Sequence, residues 1–161
     1  MIVNKNRNPL VTVLIPVGMA FVLIFCWFTI SNCWGIVEYA EWEFYPLLDR
    51  SGAAEAFHLV QNLLFAQMFV AVVSSIVILF FLVKILLWKK YGFWGVAVTA
   101  VVATTLYVIS SLCVVKAFKL IEVVLSYDPI QQVAWGVAPI VLLFLILQIK
   151  QNGVSCWKQL E

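Results

Sequence analysis

Residues 57–88 read FHLVQNLLFAQMFVAVVSSIVILFFLVKILLW, and the only charged side chain in the run is Lys84, close to its end. A helix that crosses a hydrocarbon core needs about 20 mostly apolar residues, so this stretch is long enough to span a bilayer. Residues 10–34, 93–115 and 129–149 share its character, and none of them contains Asp, Glu, Lys or Arg. The apolar residues do not alternate as they do in outer-membrane strands. In lipid, backbone N–H and C=O groups must find partners within the segment, which selects helices. The chain therefore reads as an all-α, polytopic membrane protein. It is expected to form one domain over residues 1–161, with transmembrane helices at about 10–34, 57–88, 93–115 and 129–149 in an antiparallel bundle.

Composition supports the same class. Of 161 residues, 65% are hydrophobic and 11% charged, against about 45–50% and 25% in an average soluble domain. A soluble enzyme, a disordered tail and a secreted disulfide scaffold are excluded on that ground. Ten Lys and Arg set against eight Asp and Glu form no strong basic patch, which disfavours a nucleic-acid partner.

The first segment is a retained helix rather than a signal peptide. Its apolar run is longer than the roughly 7–15 residues of a signal core, and no A-x-A-like site follows. Bulky Phe25 before Cys26 also argues against a lipoprotein site. Lys and Arg accumulate on the cytoplasmic side of membrane segments. With the amino terminus inside, Lys5, Arg7, Lys84, Lys89, Lys90, Lys150 and Lys158 fall inside, and Arg50, Lys116 and Lys119 fall outside. Both termini are expected in the cytoplasm.

The longest outer connection is then 35–56, and the turn 89–92 forces the second and third helices into a hairpin. Residues 116–128 could prolong the third helix as an amphipathic extension. Aromatic rings mark the two interfaces: Trp34, Trp42, Phe44 and Tyr45 outside, Trp88, Tyr91, Phe93, Trp94 and Trp157 inside.

The absence of a charged residue at mid-segment argues against a proton pump or an ion-coupled transporter. The third segment carries Gly95, Thr99 and Ala103 at four-residue spacing, a small-residue ridge suited to close helix packing. Its Thr and Ser residues read either as interhelical hydrogen bonds or as a pore or headgroup lining. The second segment offers a polar membrane face: His58, Gln61 and Asn62 at the outer end and Gln67 deeper. His58 is the lone histidine, and no H-x-x-x-H or C-x-x-C pattern accompanies it. No metal, cofactor or catalytic group is therefore assigned. The outer stretch 38–45, EYAEWEFY, mixes acids with aromatics. Glu38, Glu41, Trp42, Glu43 and Tyr45 are its candidate interaction residues. The other reading is a loop or short helix lying on the membrane surface. Cys33 and Cys113 fall at matching depth, which permits a disulfide. Pro16 and Pro139 can bend the first and fourth helices.

Residues 88–95, WKKYGFWG, resemble the central hairpin of small four-helix bacterial inner-membrane proteins. The tail 150–160, KQNGVSCWKQL, is similar to the endings of such proteins. The resemblance implies a bacterial inner (plasma) membrane setting and no site residue.

The functional expectation is a non-enzymatic membrane protein that self-associates, with an oligomeric pore or channel-like assembly as one outcome. The alternative is an accessory or immunity-type subunit that binds another membrane protein through the first outer loop. A third reading, an enzyme acting on lipid, has only His58 and scattered acids behind it. The expected partners are the lipid bilayer and either a second copy or another membrane protein.

Overall fold

A computed structural model describes residues 9–47, 52–119, 129–151 and 153–160. Lys5, Arg7 and Arg50, which entered the orientation argument, lie outside the described residues. Four helices dominate the fold: α1 (Pro9–Phe44), α2 (Ala53–Leu86), α3 (Tyr91–Lys119) and α4 (Pro129–Leu147). A 3-10 turn, Tyr45–Leu47, follows α1. After α4 the chain forms a small antiparallel hairpin, β1 (Lys150–Gln151) and β2 (Val154–Ser155), and a last short helix, α5 (Cys156–Gln159).

Three of the helices are long and apolar enough to cross a membrane, over Val11–Glu43, Ala53–Leu86 and Tyr91–Lys119; the apolar part of α4, Gly136–Leu147, is shorter. This is the all-α bundle of a membrane protein. At 1.5 Å per residue, the 36 residues of α1 and 34 of α2 reach roughly 50 Å or more, beyond the approximately 30 Å of a hydrocarbon core. Each must tilt or project past the lipid.

The helices depart from the expected bounds in an instructive way. α1 does not stop at Trp34 but continues to Phe44, so 38–45 is helix rather than loop. The acids end the hydropathy signal there without ending the helix. Val37 and Ala40 bury one side of the extension, and Trp34 Nε1 donates to Glu38 Oε1 at 2.8 Å, one turn on. α2 starts at Ala53, not Phe57, because Ala53, Ala56 and Val60 already pack inward. Gly52 precedes it with φ 87°, a left-handed conformation that glycine adopts without steric cost. α3 reaches Lys119 rather than Val115, with Val114, Ala117 and Phe118 buried. α4 ends at Leu147 instead of Ile149, and the hairpin and α5 beyond it had no counterpart in the segment reading. α1 and α4 stay helical through Pro16 and Pro139.

Between α2 and α3 the chain reverses within a few residues. Trp88 N donates to Ile85 O at 2.8 Å and Lys89 N to Lys84 O at 2.9 Å. Trp88 takes φ 60°, which for a residue with a Cβ costs about 1–2 kcal/mol. Its ring offsets that cost by burial in the core. Trp88 and Phe93 were expected at the membrane interface; both are buried instead, while Tyr91 and Trp94 of the same turn are exposed.

Buried side chains gather in two clusters, one at each end of the bundle. The first joins Val11 and Ile15 of α1, Leu82 and Ile85 of α2, Phe93 and Val96 of α3, Leu143 and Leu147 of α4, with Trp88, Cys156 and Leu160. The second joins Cys33, Val37 and Ala40 of α1, Ala56, Val60 and Leu64 of α2, and Val114, Ala117 and Phe118 of α3. Between the clusters, residues 16–32 of α1 and 97–113 of α3 contain no buried side chain. Among the described residues, α2 alone keeps buried side chains there: Gln67, Ala71 and Ser75.

Candidate functional site

Gln67 sits near the middle of α2 and is 7% exposed. An amide removed from water and left unpaired in an apolar setting costs roughly 2–7 kcal/mol, so its partners decide whether the site is tolerable. Gln67 Oε1 accepts the Cys33 thiol of α1 at 3.4 Å. Gln67 Nε2 donates to Ser111 Oγ of α3 at 3.1 Å. The Tyr107 hydroxyl donates to the Gln67 carbonyl at 3.0 Å. A turn away, Ser110 Oγ donates to Leu63 O at 3.4 Å. One side chain thus ties three helices together at the point where apolar packing thins out. Cys33 and Cys113 are both free thiols, so the depth match between them carries no disulfide.

The four polar residues assigned to one membrane face of α2 divide between two. His58 and Asn62 are exposed and Gln61 is half-buried, whereas Gln67 turns into the bundle. His58 lies beside the Phe57 ring, centroids 5.7 Å apart. The structure does not bring His58, Gln61 or Asn62 to the Gln67 network. Among the described residues, no group of three His, Cys, Asp or Glu side chains is placed to hold a metal ion.

Gly95 is half-buried against the Phe81 ring of α2, and a Cβ there would enter that ring. Thr99 Oγ1 donates to Gly95 O of its own helix at 2.7 Å, which leaves its methyl group as the packing surface. Thr99 and Ala103 are half-buried, while Val101 and Val102 are exposed. One turn past Thr99, on a neighbouring face, Thr104 meets Gly136 of α4, where the two backbones approach without a Cβ between them.

No known protein family, no curated protein and no solved structure matches this chain. Function must therefore be argued from its own side chains. At the far end of α1, Val37 and Ala40 face the core, and Glu38, Glu41, Trp42 and Tyr45 face outward. Trp42 is 81% and Tyr45 78% exposed, the two most exposed aromatic rings among the described residues. Glu43 is half-buried. The base of the extension is fixed by Tyr39, whose ring stacks on Phe118 of α3 with centroids 6.2 Å apart. Tyr39 gave no signal in the sequence beyond its membership of an aromatic run. Its role as an anchor depends on where α3 ends.

At the other end, Trp157 of α5 packs edge-on to Phe93 at 5.0 Å and against Phe144 at 6.0 Å, with Lys90 Nζ 5.0 Å from its ring centre. Cys156 and Leu160 are buried beside it. The carboxy-terminal hairpin thus closes the bundle end instead of trailing from it.

Proposed function

We propose that this chain is a non-enzymatic membrane subunit that docks another membrane protein through the projecting end of α1. The reading rests on one observation: α1 continues beyond the uncharged segment 10–34 to Phe44 as an anchored helix, and this end with the 3-10 turn after it carries the exposed side chains Glu38, Glu41, Trp42 and Tyr45. Exposed aromatics flanked by like charges on a rigid helix suit an interface, where Trp and Tyr commonly dominate affinity. The partner surface is cationic, with an apolar recess for Trp42.

Two residues behind the self-association reading have partners within the chain. Gly95 is taken up by Phe81, and the buried amide of Gln67 by Cys33 and Ser111. An oligomeric pore would need several copies, since a four-helix bundle fills its own interior. We place all four helices across a bacterial inner membrane with both termini in the cytoplasm, following the distribution of Lys and Arg. The α1 extension and the Lys116–Lys119 end of α3 then face outward. Reporter fusions after Glu161 and within residues 51–56 should report opposite sides.

The docking test is co-purification of tagged chain from its own membranes. A stoichiometric membrane protein should be retained by the wild type and by Trp27→Ala, whose ring is exposed midway along α1. It should be lost in Trp42→Ala/Tyr45→Ala and weakened in 1 M salt, where screening shortens to about 3 Å. Equal retention by all variants overturns the proposal. A homo-oligomer of unchanged mass that conducts ions in liposomes would favour the pore.

A further inference from the structure

We infer that the α2–α3 seam holds one anionic phospholipid, with an acyl chain in a cleft between the two helices and the phosphate at Lys116. The cleft encloses about 230 Å³ between Leu63, Ala66 and Val70 of α2 and Leu106, Ile109 and Cys113 of α3. Its exposed rim residues, Ala66, Leu106 and Ile109, leave it open along one side. Gln67, Tyr107 and Ser110 also line it, yet their polar atoms are committed elsewhere: to Ser111 and Cys33, to the Gln67 carbonyl, and to Leu63 O. The wall they present is carbon, so it suits hydrocarbon rather than an ion or a polar solute. The volume falls below the roughly 300–1,000 Å³ of small-molecule sites, which fits a length of single chain and not a ring system.

The headgroup position follows from helix spacing. Ile109, Cys113 and Lys116 lie at i, i+4 and i+7, on one face of α3. Lys116 is exposed and stands about 4.5 Å along the axis beyond Cys113. Lys119, also exposed, follows one turn later. A chain lying in the cleft therefore emerges beside a cation at the bundle end, and a phosphate there meets opposite charge. This site shares no residue with the α1 docking surface.

The test uses purified full-length protein with phosphatidylglycerol and phosphatidylcholine as probes, read by native mass spectrometry. Wild type should retain one phosphatidylglycerol in preference to phosphatidylcholine. Lys116→Gln should lower that retention roughly fivefold, the scale of one surface cation beside an anionic lipid, and Lys116→Arg should restore it. Ala66→Trp, which fills the cleft from its rim, should abolish retention; Ile76→Trp, exposed elsewhere on α2, should not. Phosphatidylglycerol carrying a photoreactive group on its acyl chain should label residues 63–70 and 106–113. Equal retention of the two lipids, indifference to Lys116→Gln, or label spread evenly over the exposed residues of α1 would each overturn the inference. Lys116→Gln alters an exposed side chain, so its result stands even if Ala66→Trp fails to fold.

Discussion

Gln67 Nε2 donates to Ser111 Oγ across the α2–α3 seam, 3.1 Å apart, while the same amide accepts the Cys33 thiol from α1. Two helices with no buried side chain in their middle stretches are thereby held to the one helix that has some. Interhelical hydrogen bonds in a bilayer contribute about 0.6–2 kcal/mol.

Gln67→Leu keeps the volume and removes both side-chain bonds. It should destabilise the protein by about 1–2 kcal/mol, and Ser111→Ala by roughly half that. Thermal unfolding in detergent checks the order. The Tyr107 bond reaches the Gln67 backbone and should survive the change. A Gln67→Leu protein as stable as wild type would show that the network adds nothing.

Gly136 and Thr104 provide a close-approach test. Gly136→Ala places a methyl group on the Thr104 side chain, and overpacking of this kind costs about 1–3 kcal/mol. Thr104→Ala in the same chain should recover most of the loss. Gly18→Ala meets open space on α1 and should be neutral or stabilising by up to about 1 kcal/mol, the helix preference for Ala.

Thr99→Leu and Ala103→Leu should impair stability more than Val101→Leu and Val102→Leu. The first pair is half-buried on the ridge and the second exposed. Unfolding midpoints of the four purified variants would separate the classes; equal losses would remove the ridge from the packing account.

Cys156 is fully buried where α5 docks, whereas Cys26 and Cys113 are half-buried. A maleimide should label Cys156, at the bundle end, only as that end opens, and Cys26, within a membrane-spanning segment, slowly throughout. Trp157→Ala removes the ring between Phe93, Phe144 and Lys90. It should speed Cys156 labelling several-fold without changing labelling of Cys26. Mass spectrometry of the labelled peptides gives the rates.

Triple replacement of Glu38, Glu41 and Glu43 by Gln should weaken partner capture at low salt and matter little at high salt, because the attraction it removes is already screened there. Unchanged capture at both salt concentrations would take the acids out of the interface.

The membrane class, the helical character and the α2–α3 hairpin were legible in the linear chain, because each follows from local rules. Long uncharged runs must be helical in lipid whatever surrounds them, and a reversal at 89–92 brings its flanking helices together regardless of the rest. Helix ends were less legible. Hydropathy reports which residues tolerate lipid, so it stopped at Trp34, while backbone helicity continued to Phe44 on the strength of Val37 and Ala40 packing inward.

Tertiary structure alone decided the partners. Cys33, Gln67 and Ser111 are separated by 34 and 44 residues, and nothing local links them. Their meeting depends on how α1 and α3 are rotated about α2, a geometry fixed jointly by the two end clusters. The same holds for Trp88, whose composition suits an interface but whose left-handed turn directs it into the core. It holds too for the tail, whose few apolar residues, Cys156, Trp157 and Leu160, gain their meaning only from the pocket that α3 and α4 form. Sequence alone set which segments are apolar and helical, because that is a property of each residue and its neighbours along the chain. Only the fold could choose which faces meet, because that choice is made by shape complementarity between surfaces far apart in sequence.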